Sequence, residues 1–294
     1  MQPSPEFKAI SALVVASFLF GATFVVVKSA IELIGPISFV AWRFVIGAAV
    51  LLAVTLPRGC SIWRDGAIAG SALFAGYALQ TAGLTVTSAT NSALITGLFV
   101  VLTPFLAAAF HRYRPSPWSV GAAVMAFAGL YLVTGAEGLR LGGGDLLTLG
   151  CAFAFAVHVV ALSIFAPRHP VIPFTAVQLT IVAIGSIPLA ALLDGFAWPA
   201  REVWPAILIT GLVVSVGAYA LQAWAQNVVG ASTTAVVLAA EPAFGVATAW
   251  VVLGDRLDLA GWIGAGMILI AIVVVIRRQK DPASIQAEAV TPAH

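Results

Sequence analysis

The chain has 294 residues, of which 61% are hydrophobic and only 9% charged, and its formal net charge is +2. Soluble domains carry about 25% charged residues, and no globule of this size can hide so much apolar surface from water. The composition therefore predicts a protein whose surface faces lipid, and the small net charge gives no indication of a nucleic-acid partner. Cys60 and Cys151 have no spacing typical of a disulfide framework or a metal site, so no metal or cofactor is expected.

Ten segments are apolar and long enough to cross a bilayer, which requires about 20 residues. In chain order they cover residues 9–30, 37–56, 66–85, 91–110, 117–134, 146–165, 173–193, 204–224, 232–253 and 259–276. Short connections containing glycine and proline separate them. The sequence thus predicts an all-α integral membrane protein of ten transmembrane helices, followed by a disordered cytoplasmic tail over residues 281–294.

Orientation follows from the distribution of basic residues, which favour the cytoplasmic loops of a membrane protein. With the N-terminus inside, nine basic residues lie on the cytoplasmic side: Lys8, Arg58, Arg64, Arg112, Arg114, Arg168, Arg277, Arg278 and Lys280. Four lie outside: Lys28, Arg140, Arg201 and Arg256. This excess predicts that both termini lie in the cytoplasm. We expect a multi-pass protein of the plasma (inner) membrane. The sequence is also compatible with a monomer.

The two halves of the chain contain an internal repeat. Tyr77-Ala78-Leu79-Gln80 recurs as Tyr219-Ala220-Leu221-Gln222, and further matches at the same offset include Ala89 with Ala231. Five spans precede the second copy, so it must enter the membrane from the opposite side. We therefore expect two inverted five-helix repeats, residues 1–134 and 145–280, around a central cavity, an arrangement typical of secondary transporters.

Charged groups within the spans are rare, because they are expensive in lipid, and they usually face the protein interior. Glu241 precedes Pro242, which removes an amide donor and frees the carbonyl of Leu238; the acid is either a binding group or a support for the kink. Arg43 is expected to anchor helices by pairing with an acid or with helix-end carbonyls, with substrate contact as the alternative. It is grouped with Pro104 and Pro242 as gating or structural residues. His158 either takes part in substrate or proton binding or is a neutral histidine between helices.

The repeated tyrosine and glutamine residues lie three positions apart, so each pair occupies one helical face. Such a face suits either a binding cavity or interhelical hydrogen bonds. Aromatic residues in nearby spans are candidates for the cavity wall, with packing or lipid contact as the alternative. The candidate substrate-binding residues are Phe20, Tyr77, Gln80, His158, Tyr219, Gln222, Trp224 and Glu241.

Three stretches carry a family resemblance. The first is Phe20-Gly21-Ala22-Thr23-Phe24 with Lys28, followed by Trp42-Arg43-Phe44, and the second is Gly144-Asp145-Leu146-Leu147-Thr148-Leu149. The third is Glu241-Pro242-Ala243-Phe244 with Leu253-Gly254-Asp255-Arg256-Leu257 and Gly261-Trp262-Ile263-Gly264-Ala265. Over roughly residues 10–277 the chain resembles the drug/metabolite transporter superfamily, EamA type, and in overall character the YddG-type amino-acid exporters. The resemblance implies export of amino acids, particularly aromatic ones, and related metabolites.

Other functions remain as alternatives. A multidrug or other-metabolite efflux transporter of the same fold would use an aromatic cavity, with proton coupling through Glu241 or His158. A channel is less favoured, because channels usually show rings of charge or repeated filter loops. An intramembrane enzyme is not expected, since neither a nucleophile with a base nor a set of metal ligands occurs in one place.

Overall fold

The computed structural model describes residues 4–31, 33–84, 95–112, 114–134, 143–253 and 258–279. The predicted tail and the repeat matches around Ala89 lie outside these ranges. Within them, every regular element is helical, in agreement with the predicted all-α class.

The helices of the first half are α1 (Pro5–Ala22), α2 (Phe24–Ile31), α3 (Pro36–Val54), α4 (Cys60–Leu84), α5 (Phe99–His111) and α6 (Pro117–Thr134). Those of the second half are α7 (Gly143–Phe165), α8 (Val171–Leu193), α9 (Trp204–Leu208), α10 (Tyr219–Ala225), α11 (Ala231–Leu238), α12 (Glu241–Leu253) and α13 (Leu259–Gln279). A π-helical stretch, Ile209–Ala218, joins α9 to α10.

Helix ends are set by local sequence. Pro5 begins α1 after Ser4, whose Oγ accepts a hydrogen bond from the backbone N–H of Phe7 at 3.3 Å. Pro36 begins α3, and there the carboxylate of Asp194 accepts the backbone N–H of Ser38 at 2.7 Å. The start of α3 is therefore tied to the end of α8, in the other half of the chain.

Five helical segments are long and apolar enough to cross a membrane: Pro5–Ala22, Pro36–Val54, Gly143–Arg168, Val171–Leu193 and Arg201–Ala225. Shorter apolar helices cover Ile95–His111, Pro117–Leu132 and Leu259–Val274. Large apolar side chains point outward from these helices; Leu192, for example, is 79% exposed. This apolar exterior is what a lipid environment requires.

The first, eighth and ninth predicted spans depart from a continuous α-helix. The first breaks at Thr23, whose hydroxyl donates to the carbonyls of Leu19 and Phe20 at the end of α1. The ninth breaks between α11 and α12, just before Pro242, as the missing proline donor predicts. The eighth stays helical but passes through the π-helical stretch, which no sequence signal indicated.

Helices from the two halves pack against each other throughout the bundle. The most extensive contacts are those of α6 with α13, α4 with α7, α3 with α8 and α4 with α8, followed by α1 with α12. Small residues allow this approach: a Cβ atom on Gly129 would lie 2.6 Å from the carbonyl oxygen of Gly264. The core is therefore built mainly from contacts between the first and second halves.

Candidate functional site

The two repeated tyrosines meet in the middle of the bundle. The hydroxyl oxygens of Tyr77 on α4 and Tyr219 on α10 lie 2.6 Å apart and share a hydrogen bond. Phe44 packs edge-on against Tyr77 with ring centroids 5.1 Å apart, Phe155 does so at 5.6 Å, and Phe20 packs against Tyr219 at 5.1 Å. Five helices thus contribute one ring each to an aromatic cluster, here called the tyrosine centre (Phe20, Phe44, Tyr77, Phe155 and Tyr219).

Arg43 lies beside the tyrosine centre. Its side chain is only 6% exposed, and its Nε–H donates to the hydroxyl of Ser215 at 3.2 Å. The guanidinium carbon lies 5.1 Å from the centroid of Phe44 and 5.5 Å from that of Tyr77, within the range of a cation–π interaction. No carboxylate among the described residues forms an ion pair with it within 4.0 Å.

Glu241 is the first residue of α12, directly after the break in the ninth span. It is partly exposed, and its backbone packs against Gly21, the residue after Phe20 of the tyrosine centre. The carbonyl of Leu238, which the sequence predicted to be freed by Pro242, accepts the buried hydroxyl of Ser17 at 3.4 Å. That carbonyl therefore helps to hold α1 against the break.

His158 on α7 is buried at 2% exposure and hydrogen-bonded. The amide nitrogen of Gln178 donates to the carbonyl of Phe174, which directs its Oε1 toward the histidine at 3.0 Å. Because that oxygen can only accept, His158 donates through Nε2. Its ring also contacts Tyr219 edge-on at 6.1 Å between centroids, so the histidine packs against the tyrosine centre from α7.

Both repeated glutamines form hydrogen bonds within the bundle. Gln222, 2% exposed, donates to Gln226 at 3.3 Å, and Gln226 in turn donates to the carbonyl of Val159 on α7 at 2.8 Å. Gln80 donates to Thr96 at 3.3 Å. Gln222 therefore helps to hold α10 against α7 through Gln226. The side chain of Gln80, by contrast, remains partly exposed.

One predicted residue, Trp224, lies apart from the tyrosine centre. Trp224 is 39% exposed, and it follows Tyr219 by five positions in the helix, a rotation of about 140° at 3.6 residues per turn. It therefore occupies a different face of α10. Pro104 is buried inside α5, where the hydroxyl of Thr103 donates to the carbonyl of Phe99 at 2.6 Å.

Several residues of the site were missed from the sequence. Phe44 was marked only as part of the Trp42-Arg43-Phe44 stretch and not as a site residue, and Phe155 is an ordinary apolar residue of its span. Gln178 and Ser215 carried a usable signal, since each is a polar side chain within a predicted span.

A second polar cluster lies at the start of α4, one residue before the predicted third span. The carboxylate of Asp65, 2% exposed, accepts from Nε2 of His169 at 2.8 Å and from Arg64 at 2.9 Å. Burial acts to raise the pKa of Asp65, but the hydrogen bonds from His169 and Arg64 outweigh it and hold the pKa below its usual value. This cluster links α4 to the segment between α7 and α8.

Comparison with known proteins identifies the class of protein to which this chain is similar. The model of the EamA-like transporter family matches residues 7–135 and 142–277. An uncharacterized transporter of Archaeoglobus fulgidus is 31% identical over 266 residues, covering 90% of this chain and 85% of its own. The uncharacterized transporter YwfM of Bacillus subtilis is 28% identical over 284 residues, covering 91% of this chain and 94% of its own.

A solved crystal structure shares the fold, with a TM-score of 0.78 over 92% of this chain and 99% of that one at 23% identity. The two family matches together span most of the chain, and the relatives are transporters, not enzymes. Transport by this family implies a multi-pass membrane protein with a small-molecule substrate. The chain therefore belongs to the EamA-like transporter family.

Proposed function

We propose that the protein exports small organic metabolites, in particular amino acids including aromatic ones, across the plasma membrane by alternating access. The observation that carries the proposal is the tyrosine centre with Arg43 and Glu241 beside it. Flat apolar rings suit an aromatic side chain, and one basic and one acidic group suit the two charges of an amino acid. Such a mixture of apolar walls and a few polar groups is typical of small-molecule sites.

The proposed mechanism requires two inverted repeats, residues 1–134 and 145–280. Residues related by a two-fold axis contact their own equivalents only where they lie on that axis. Tyr77 and Tyr219 occupy equivalent positions in the two copies and contact each other, which supports such an axis at the tyrosine centre. The family matches at residues 7–135 and 142–277 coincide with the two proposed repeats.

Access to the site is supported by the exposure of its side chains. Tyr77 contacts residues of α3, α7 and α10 and is therefore inside the bundle, yet it is partly exposed. Phe20, Gln80 and Glu241 are also partly exposed. A solvent-filled space beside these residues explains both properties, and it would form the central cavity.

The test is flux of labelled aromatic amino acids in liposomes containing the purified protein, with and without a pH gradient. We expect faster uptake than in empty liposomes, and the effect of the gradient decides whether transport is coupled to protons. If no amino acid is transported, the amino-acid assignment is wrong, and cationic drugs and other metabolites become the substrates to test. Single-channel currents would instead support a channel.

A further inference from the structure

We propose that Arg43 is the residue that binds the substrate carboxylate, and that the substrate is a zwitterion whose amine faces Glu241. This inference rests on the proposed transport function and assigns the groups of the site. The sequence favoured an anchoring role for Arg43, in which its donors would be used by an acid or by helix-end carbonyls. The observed contacts differ from that expectation.

The guanidinium of Arg43 is buried and only partly satisfied. It carries five N–H donors and stays charged at any physiological pH. Its Nε–H donates to the neutral hydroxyl of Ser215, and the described residues provide no further hydrogen bond or ion pair to its side chain. A charge in this position is costly unless it is paired. An incoming anion would supply the missing partner.

The rings around Arg43 fix the direction of its free donors. Phe44 and Tyr77 lie 5.1 and 5.5 Å from the guanidinium carbon, and Ser215 holds the Nε end at 3.2 Å. The two terminal nitrogens form the end of the planar fork that matches the two oxygens of a carboxylate. Because three neighbours hold the group, little side-chain freedom is lost when the ligand binds.

The charge balance favours a zwitterion over a phosphate or a simple anion. Glu241 begins α12, and its backbone packs against Gly21, the residue after Phe20 of the tyrosine centre, so an ionised Glu241 would repel a doubly charged phosphate bound at Arg43. An amino acid carries an ammonium group on the carbon next to its carboxylate. With the carboxylate at Arg43, that ammonium group is attracted by the nearby charge of Glu241.

The tyrosine centre accounts for the remaining part of the substrate. Tyr77 is both a ring neighbour of Arg43 and a partner of Tyr219. An aromatic side chain attached to a carboxylate held at Arg43 is therefore within reach of the rings of the tyrosine centre. Polar recognition at one end and ring packing at the other would together give selectivity for aromatic amino acids.

The test compares three probes in binding and flux measurements: L-tryptophan, its primary amide, and tryptamine, which has no carboxylate. Wild-type protein should prefer L-tryptophan to both by about 10- to 100-fold, the range for a charge-assisted hydrogen-bonded pair. Arg43→Gln should reduce this preference to about one-fold by weakening tryptophan and not the two analogues. Arg43→Lys, which keeps the charge but not the fork, should give an intermediate preference.

Arg64→Gln is the matched control, because Arg64 is 70% exposed and lies outside the tyrosine centre; it should retain the wild-type preference. If Arg43→Gln does not fold, Arg43→Lys decides the question through the same ratio. Retention of the full preference in the folded Arg43 variants, with transport intact, overturns the inference alone. Absence of amino-acid transport by the wild-type protein overturns the proposed function, and the inference with it.

Discussion

Replacement of Gly21 by alanine tests whether close contact between α1 and α12 positions Glu241. A Cβ atom at Gly21 would collide with the carbonyl oxygen of Glu241 and would lie 2.8 Å from the backbone nitrogen of Gly245. Ordinary contacts begin at 3.4 Å, so the two backbones must separate by about 0.6 Å or more at the second contact. A backbone cannot yield as the end of a flexible side chain can.

The expected cost is that of overpacking, about 1–3 kcal/mol. It is opposed by the gain from replacing a helical glycine with alanine, up to about 1 kcal/mol. A Cβ atom built on Gly266 of α13 has no other atom within 4 Å. Gly266→Ala should therefore gain helix stability without a cost of overpacking. The difference between the two variants therefore isolates the steric cost at Gly21.

The assay is thermal unfolding of both variants in the same detergent, with flux measured in liposomes. We expect Gly21→Ala to unfold several degrees below Gly266→Ala and to transport more slowly, because the start of α12 carries Glu241. Equal melting temperatures and equal flux in the two variants would refute the reasoning. Lower stability with unchanged flux would show that the contact is structural only.

Three further predictions concern the tyrosine pair and the acidic residues. Tyr77→Phe should lower the free energy of unfolding by about 0.5–1.5 kcal/mol, because it removes one hydrogen bond. The double variant Tyr77→Phe with Tyr219→Phe should lose little more stability, since the two tyrosines share that bond. Denaturation experiments in which the losses of the two single variants add up in the double variant would contradict this. Asp65→Asn should destabilise the protein at pH 7, because a carboxyl group with a depressed pKa stabilises the fold at pH values above its unfolded pKa. That stabilisation is lost as the pH falls through the folded pKa, so the melting temperatures of variant and wild type should converge in acid. A difference in melting temperature that does not change with pH would refute the assignment. Glu241→Gln should leave the protein folded while reducing transport or altering its pH dependence, and wild-type flux with an unchanged pH profile would exclude a functional role.

The sequence predicted the broad class of the structure well because its physical signal is strong. Long apolar segments have few alternatives to helices in a membrane, and Pro242 marked the break before α12. The break at Thr23 had no comparable signal, since no proline lies there and the hydroxyl competes for carbonyls only in the folded helix. The π-helical stretch before Tyr219 packs against α3 and α1, and no local sequence pattern indicated it.

The candidate site was predicted in part, for reasons that differ between residues. The repeated tyrosines could be found because repetition is visible in the sequence, but their contact could not, since it depends on how the two halves pack. Trp224 was grouped with them by composition, although its helical position turns it to another face. Gln178 was overlooked because polar residues were weighed singly, whereas His158 and Gln178 have meaning only as a pair.

The contact between Tyr77 and Tyr219 has a consequence at the level of single protons. In a hydrogen bond between two hydroxyls one oxygen donates and the other accepts, so even a perfectly symmetric pair of repeats becomes unequal at this point. The accepting tyrosine keeps its own proton, which can be offered to a solute from one repeat only. Exchange of the two roles needs only rotation of two hydroxyls, and it would transfer the spare donor from one half of the protein to the other.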